Sequence, residues 1–217
     1  MTHTPTTLTF FLDFISPYAW LAFEALPRSL RGLDVQVVYK PVLFAGLLKH
    51  HGQLGPAEIP GKRDWTYRQV QWLARQQGCE LKLPSTHPFN PLSLLRLALA
   101  CGDANTPERA VCEQVFRHVW CSGQEAADPD RLQLLAQQLK PARDPSSPAV
   151  KQALQANTDE AIALGLFGVP SMQVDDKLFW GQDALPMLRA YLQGDAWFHE
   201  GAWQAASTLP AGIQRNA

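Results

Sequence analysis

The sequence predicts an α/β fold in the order β-α-β … β-β-α, opened in the middle by an all-helical insertion, and three observations carry that prediction. Strand-type runs occur near the N-terminus and again between Ser171 and Trp180. From about residue 43 to 165 the apolar residues recur at helical spacing, with almost no β-branched run. At the start, a strand, a helix and a second strand follow one another, which is a crossover between two parallel strands. Taken in order, Leu8–Phe14 is a short apolar run and reads as a buried strand. Ser16-Pro17 supplies a helix cap and a first-turn proline, so a helix is expected from Pro17 to Leu30, broken at Pro27 and closed by Gly32. Val35–Tyr39 is rich in β-branched residues and reads as the second strand. Helices are expected at Trp65–Gln77, Pro91–Gly102, Pro107–Trp120, Asp130–Leu139 and Ser147–Gly165, separated by glycine and proline breaks. Ser171–Val174 and Lys177–Trp180, joined by Asp175-Asp176, read as a hairpin, and Gln182 or Asp183 opens a last helix to about Leu192. The tail from Gly194 carries no clear pattern. Residues 1–42 and 160–217 are thus expected to form the α/β domain, and residues 43–159 the helical insertion.

Composition narrows the partners. With 217 residues, 46% apolar and 18% charged, the chain is a globular protein able to bury a sizeable core. A net charge of −1 offers no field for nucleic acid or an anionic membrane. No apolar run approaches the ~18 residues of a membrane helix. The start, Met-Thr-His-Thr-Pro-Thr-Thr, lacks a secretory pattern, so a cytoplasmic location is expected. The four cysteines, Cys79, Cys101, Cys112 and Cys121, show neither Cys-x-x-Cys nor zinc-site spacing with the six histidines. They read as small buried hydrophobes, and no metal is expected.

The chemistry-bearing residues lie at both ends. A helix N-terminus at Ser16-Pro17-Tyr18 has unpaired N–H groups and about half a positive charge, which favours an anion such as a thiolate. Ser16 has no base beside it and is a poor nucleophile, but its hydroxyl can donate to a sulfur. Val169-Pro170 precedes a strand; a cis bond there would turn the Val169 backbone outward to pair with a peptide-like ligand. Gln182-Asp183 opens the last helix, and an aspartate there suits an ammonium group. Taken singly, each has a plain structural reading as a helix cap or an ordinary proline.

Together, strand, turn, helix start and distant Val-Pro resemble the active-site layout of the thioredoxin fold. The reactive Cys-x-x-Cys of that fold is replaced here by Ser16-Pro17-Tyr18-Ala19, so the thiol is expected to arrive with a ligand, glutathione. More specifically, Asp13-Phe-Ile-Ser-Pro-Tyr-Ala-Trp20, Phe167-Gly-Val-Pro-Ser-Met172 and Phe179-Trp-Gly-Gln-Asp183 resemble the 2-hydroxychromene-2-carboxylate isomerase family. That family is related to kappa-class glutathione transferases, on the DsbA-like branch of the thioredoxin fold. The resemblance implies a homodimer that uses glutathione as cofactor to isomerise an unsaturated aromatic acid, interconverting 2-hydroxychromene-2-carboxylate and trans-o-hydroxybenzylidenepyruvate. Ser16 then looks like the catalytic serine. Pro17, Tyr18, Gln53, Lys62, Val169, Pro170, Gln182 and Asp183 would bind glutathione, and Lys49, His87 and Asn90 the substrate. Gln53 stands where the family more usually has asparagine, and Arg63 is an alternative to Lys62 for the glycyl carboxylate. Two rivals stay open: a kappa-like transferase, and a non-catalytic protein that holds thiol peptides.

Overall fold

The computed structural model describes residues 4–102, 105–210 and 212; Asp103 and Ala104, in an expected loop, lie outside them. Four strands form one sheet in the order β2-β1-β3-β4. β1 (Thr6–Leu12) pairs parallel with β2 (Val35–Pro41) and antiparallel with β3 (Ser171–Val174), which pairs antiparallel with β4 (Lys177–Trp180). The hairpin falls where the sequence places it. β1 starts and ends two residues earlier than Leu8–Phe14, because its ladder with β2 closes at Leu12 opposite Pro41. Asp13 then turns the chain, its carbonyl accepting from the Ser16 amide at 3.1 Å. Phe10 and Leu12 face one layer and Phe11 the other, all fully buried, so β1 is covered on both sides.

α1 (Pro17–Ser29) starts where expected, with Ser16 Oγ accepting from the Ala19 amide at 3.2 Å. It is not broken at Pro27, which corrects the reading from sequence. A proline lacks the N–H that would pair with the carbonyl four residues back. That carbonyl, Phe23 O, instead accepts from Arg109 Nη1 at 3.2 Å, while the guanidinium lies 3.9 Å from the Phe23 ring centroid. Arg109 also donates to the Tyr39 hydroxyl at 3.0 Å. Arg109→Leu is therefore expected to cost about 1–3 kcal/mol, the penalty of an unsatisfied carbonyl, read by chemical denaturation. A cost below about 0.5 kcal/mol would mean that Phe23 O finds another donor.

The remaining helices are α2 (Phe44–His50), α3 (Pro60–Gln77), α4 (Leu92–Cys101), α5 (Arg109–Trp120), α6 (Pro129–Leu139), α7 (Pro148–Ala163), α8 (Leu185–Leu192) and α9 (Ala202–Ala206). α2 has no counterpart in the sequence reading. It is seven residues long, without a side-chain cap of its own. Its first amides are satisfied from afar: Leu43 N donates to Thr158 Oγ1 at 3.0 Å and Phe44 N to Asp13 Oδ2 at 2.9 Å. α3 begins five residues before the expected Trp65, helped by Pro60 in its first turn. Its buried face is Thr66, Val70 and Ala74, so Trp65 and Trp72 point to solvent, whereas Trp120 is fully buried.

The main core joins one sheet face to α1, α4, α5 and α8. Phe14, Trp20 and Phe23 ring Phe116 of the insertion at centroid distances of 4.8, 5.7 and 5.1 Å. A smaller cluster of Phe11, Val42, Leu47, Ala161 and Leu166 fills the other face. The unassigned tail packs Phe198 and Trp203 against Phe179. Cys112 is fully buried as expected, but Cys79, Cys101 and Cys121 are only partly buried. Among the described residues, no helix is long and apolar enough to cross a membrane, and no group of three or more acids, histidines or cysteines is placed to hold a metal.

Candidate active site

The site grows from the end of β1. The Ser16 turn is held from both sides: Asp13 Oδ1 accepts from the Ile15 amide at 3.1 Å, and His87 Nε2 donates to the Ile15 carbonyl at 2.8 Å. Trp120 Nε1 donates to Phe14 O at 2.9 Å. Ser16 is left 7% exposed at the start of α1. Its hydroxyl donates to the carbonyl of Val169 at 3.2 Å, joining residues 153 positions apart. The Val169–Pro170 bond is cis, as expected. The expectation that both Val169 backbone groups are free is half corrected: the carbonyl is taken by Ser16, while the amide has no partner among the described residues. The Tyr18 amide, in the first turn of α1, likewise donates to none of them.

Pro170 O accepts from the Gly181 amide at 3.0 Å, which hangs the Gln182–Ala184 turn from the proline loop. That turn packs against α1, and Asp183 is close enough to oppose ionisation of Tyr18. Burial is the main cause raising the Tyr18 hydroxyl above its ordinary value, and the hydroxyl donates to Gln69 Oε1 at 2.7 Å. Gly168 is small for a local reason: a Cβ there would meet Trp180 Nε1 at 2.6 Å. The Trp180 indole and the Phe167 ring, 4.8 Å apart between centroids and both exposed, form a rim beside Val169.

The structure thus gathers Ser16, Pro17, Tyr18, Val169, Pro170, Gln182 and Asp183 around one helix start. The other candidates are held by different contacts. His87 has both ring nitrogens engaged, Nε2 on Ile15 and Nδ1 with the Tyr67 hydroxyl at 2.8 Å. Burial holds its pKa below the ordinary histidine value. The ring braces the turn through Ile15. Asn90 is exposed, and its Oδ1 accepts from Leu92 N, the first amide of α4, at 3.1 Å. Lys49, Gln53 and Lys62 are exposed, and no hydrogen bond or ion pair ties their side chains to Ser16, Val169 or Asp183 among the described residues. Arg63 donates to His87 O at 3.2 Å. The cysteines are no substitute nucleophiles: burial pushes Cys79 up to about 12, Cys121 up to about 11, and Cys101 and Cys112 upward as well.

The sequence reading missed Asp13, whose signal was an acid closing an apolar strand, and also Tyr67, Thr66 and Gln69 of α3, which left no signal. Comparison with known proteins finds the same fold and family. A model of the DSBA-like thioredoxin domain matches residues 7–193. The chain is 27% identical over 203 residues to 2-hydroxychromene-2-carboxylate isomerase of Sphingobium xenophagum, covering 86% of this chain and 97% of that one. It is 26% identical over 212 residues to glutathione S-transferase kappa 1 of Rattus norvegicus, covering 89% and 93%. A solved 2-hydroxychromene-2-carboxylate isomerase superposes with a TM-score of 0.71 at 23% identity, covering 94% of this chain and all of that one. With most of its length matched, the chain belongs to the DSBA-like thioredoxin domain family.

Proposed function

We propose that the protein is a glutathione-dependent isomerase that interconverts 2-hydroxychromene-2-carboxylate and trans-o-hydroxybenzylidenepyruvate, or acts on a related unsaturated aromatic acid. The observation that carries this reading is the Ser16 hydroxyl at a helix start, bonded to the carbonyl before a cis proline, with no cysteine at 16 or 19. Glutathione fits the residues present. The unpartnered Val169 amide suits its cysteinyl backbone, and the Tyr18 amide with the α1 dipole suits a thiolate. Asp183 and Gln182 suit its γ-glutamyl end, and Lys62 its glycyl carboxylate. Bound there, glutathione supplies a thiolate whose addition turns the substrate C=C into a rotatable single bond and whose elimination restores it in the new geometry.

The chain's own part is to hold and polarise. Ser16 swings its O–H from Val169 O to the sulfur and keeps it anionic, while the first turn of α1 adds its dipole. Tyr18, kept protonated, holds α1 to α3 through Gln69. Lys49 on α2 is the candidate partner of the substrate carboxylate. The comparable likeness to the rat kappa-class transferase favours a second reading, conjugation of glutathione instead of its release.

Asp183→Ala is expected to raise the glutathione Kd about tenfold, one charge-assisted contact, by isothermal titration. The deciding experiment assays isomerisation and conjugation side by side with glutathione present and absent. Isomerisation that proceeds equally without thiol would end the proposal, and conjugation alone would select the second reading. The same reading carries the expectation of a homodimer, which light scattering of the purified protein tests.

A further inference from the structure

Among the described residues, Asp13 is the only carboxylate that is completely buried. It closes β1 three residues before Ser16. One oxygen accepts from Ile15 N at 3.1 Å, within the Ser16 turn, and the other from Phe44 N at 2.9 Å, at the start of α2. α2 runs on to His50, and the next residue, His51, bonds the Leu166 carbonyl through Nε2 at 2.9 Å, three residues before Val169. The Val169 carbonyl returns to Ser16 Oγ at 3.2 Å. These contacts close a ring of turn, helix, proline loop and turn. α2, which has no cap of its own, is a strut inside it.

We infer that Asp13 is a positioning residue of this site: its carboxylate fixes the Ser16 turn against the start of α2 and, through α2, against the loop that bears Val169. The functional consequence rests on the glutathione reading; the coupling itself does not. The three groups that favour the charged form are backbone amides, of Phe44, Ile15 and Phe14, set against burial, which raises the pKa to about 7. The titratable groups on the surrounding elements include His87 behind the turn, Lys40 on β2, Glu160 on α7, Lys49 and His50 on α2, and His51 just after it; none of them is a cause of that shift. A carboxylate accepts from N–H donors with both oxygens, whereas the acid commits one of them to its own O–H. The clamp therefore holds in the charged form and loosens as the group takes up a proton.

The test follows the amide resonances of Ile15 and Phe44 in the isotopically labelled full-length protein from about pH 5 to about pH 9. Both are expected to titrate together with one midpoint near neutrality, and neither in Asp13→Asn. That variant also removes His87 as an alternative source, since His87 remains and is held below the ordinary histidine range. In the thiol-dependent reaction, Asp13→Asn is expected to lower kcat/KM about tenfold and to lose the limb of the pH profile that tracks the amide midpoint. Joint titration without any glutathione binding would support the coupling and discard the proposed reaction. Glutathione binding with amides that titrate separately or not at all would overturn the inference, as would an Asp13→Asn profile matching the wild type. The wild-type titration stands on its own if the variant does not fold.

Discussion

Asp13→Asn is expected to shift the pH dependence of stability by on the order of 4 kcal/mol between about pH 4 and pH 8. In the unfolded chain Asp13 titrates at its ordinary 3.8, and in the fold at about 7. Between those values the folded protein binds the extra proton, so stability falls as pH rises through that window. Three units at about 1.4 kcal/mol each set the size of the effect. Asparagine carries no such proton, and the difference between variant and wild type should move in the variant's favour with rising pH. At the acid end the variant starts behind, because its NH2 must face one of the amides that the carboxyl oxygens accept, a penalty of about 1–3 kcal/mol. Urea midpoints of both proteins across the range check this. A difference that stays constant with pH would show that the carboxylate is no burden to the fold. The variant expected to lose activity is thus expected to gain stability above neutrality, the usual exchange at a site kept for function.

Ser16→Ala is expected to slow the thiol-dependent reaction by about one to two powers of ten while glutathione still binds. The hydroxyl is worth a charge-assisted hydrogen bond to the sulfur, ~1.5–3 kcal/mol, whereas the α1 dipole and the free Tyr18 amide remain. Alanine also removes the cap on Ala19 N and the link to Val169 O, so the variant should melt somewhat earlier. The deciding measurement is the pH dependence of thiolate absorbance of bound glutathione in both proteins. An unchanged thiol pKa would reduce Ser16 to a helix cap.

Much of the fold was legible because it is written in local signals. Ser16-Pro17 announces the start of α1, and Asp175-Asp176 announces the hairpin turn. What escaped depends on distant partners. α2 is stabilised by Asp13 and Thr158 and has no cap to read. Pro27 sits inside α1 because Arg109, far along the chain, occupies Phe23 O. The Ser16, Val169 and Asp183 neighbourhood was readable because each carries a helix-start or proline signal. The backbone contacts of His87 and Asn90 were not legible, because a loop residue's hydrogen-bond partners are settled in three dimensions.

The helical insertion supplies hydrogen-bond partners for buried backbone of the α/β half, in the Ser16 turn and within α1. Phe14 O, Ile15 O and Phe23 O are capped by Trp120, His87 and Arg109, and Trp20 Nε1 is received by Glu80 O at 3.0 Å. Excising the insertion would strand these groups together with the Phe116 side of the core, so the α/β half is expected to have no stable form of its own. Unfolding is then expected to be one cooperative transition, with far- and near-ultraviolet circular dichroism lost together. Transplanting the turn onto a bare four-stranded scaffold would carry over its letters and lose its geometry.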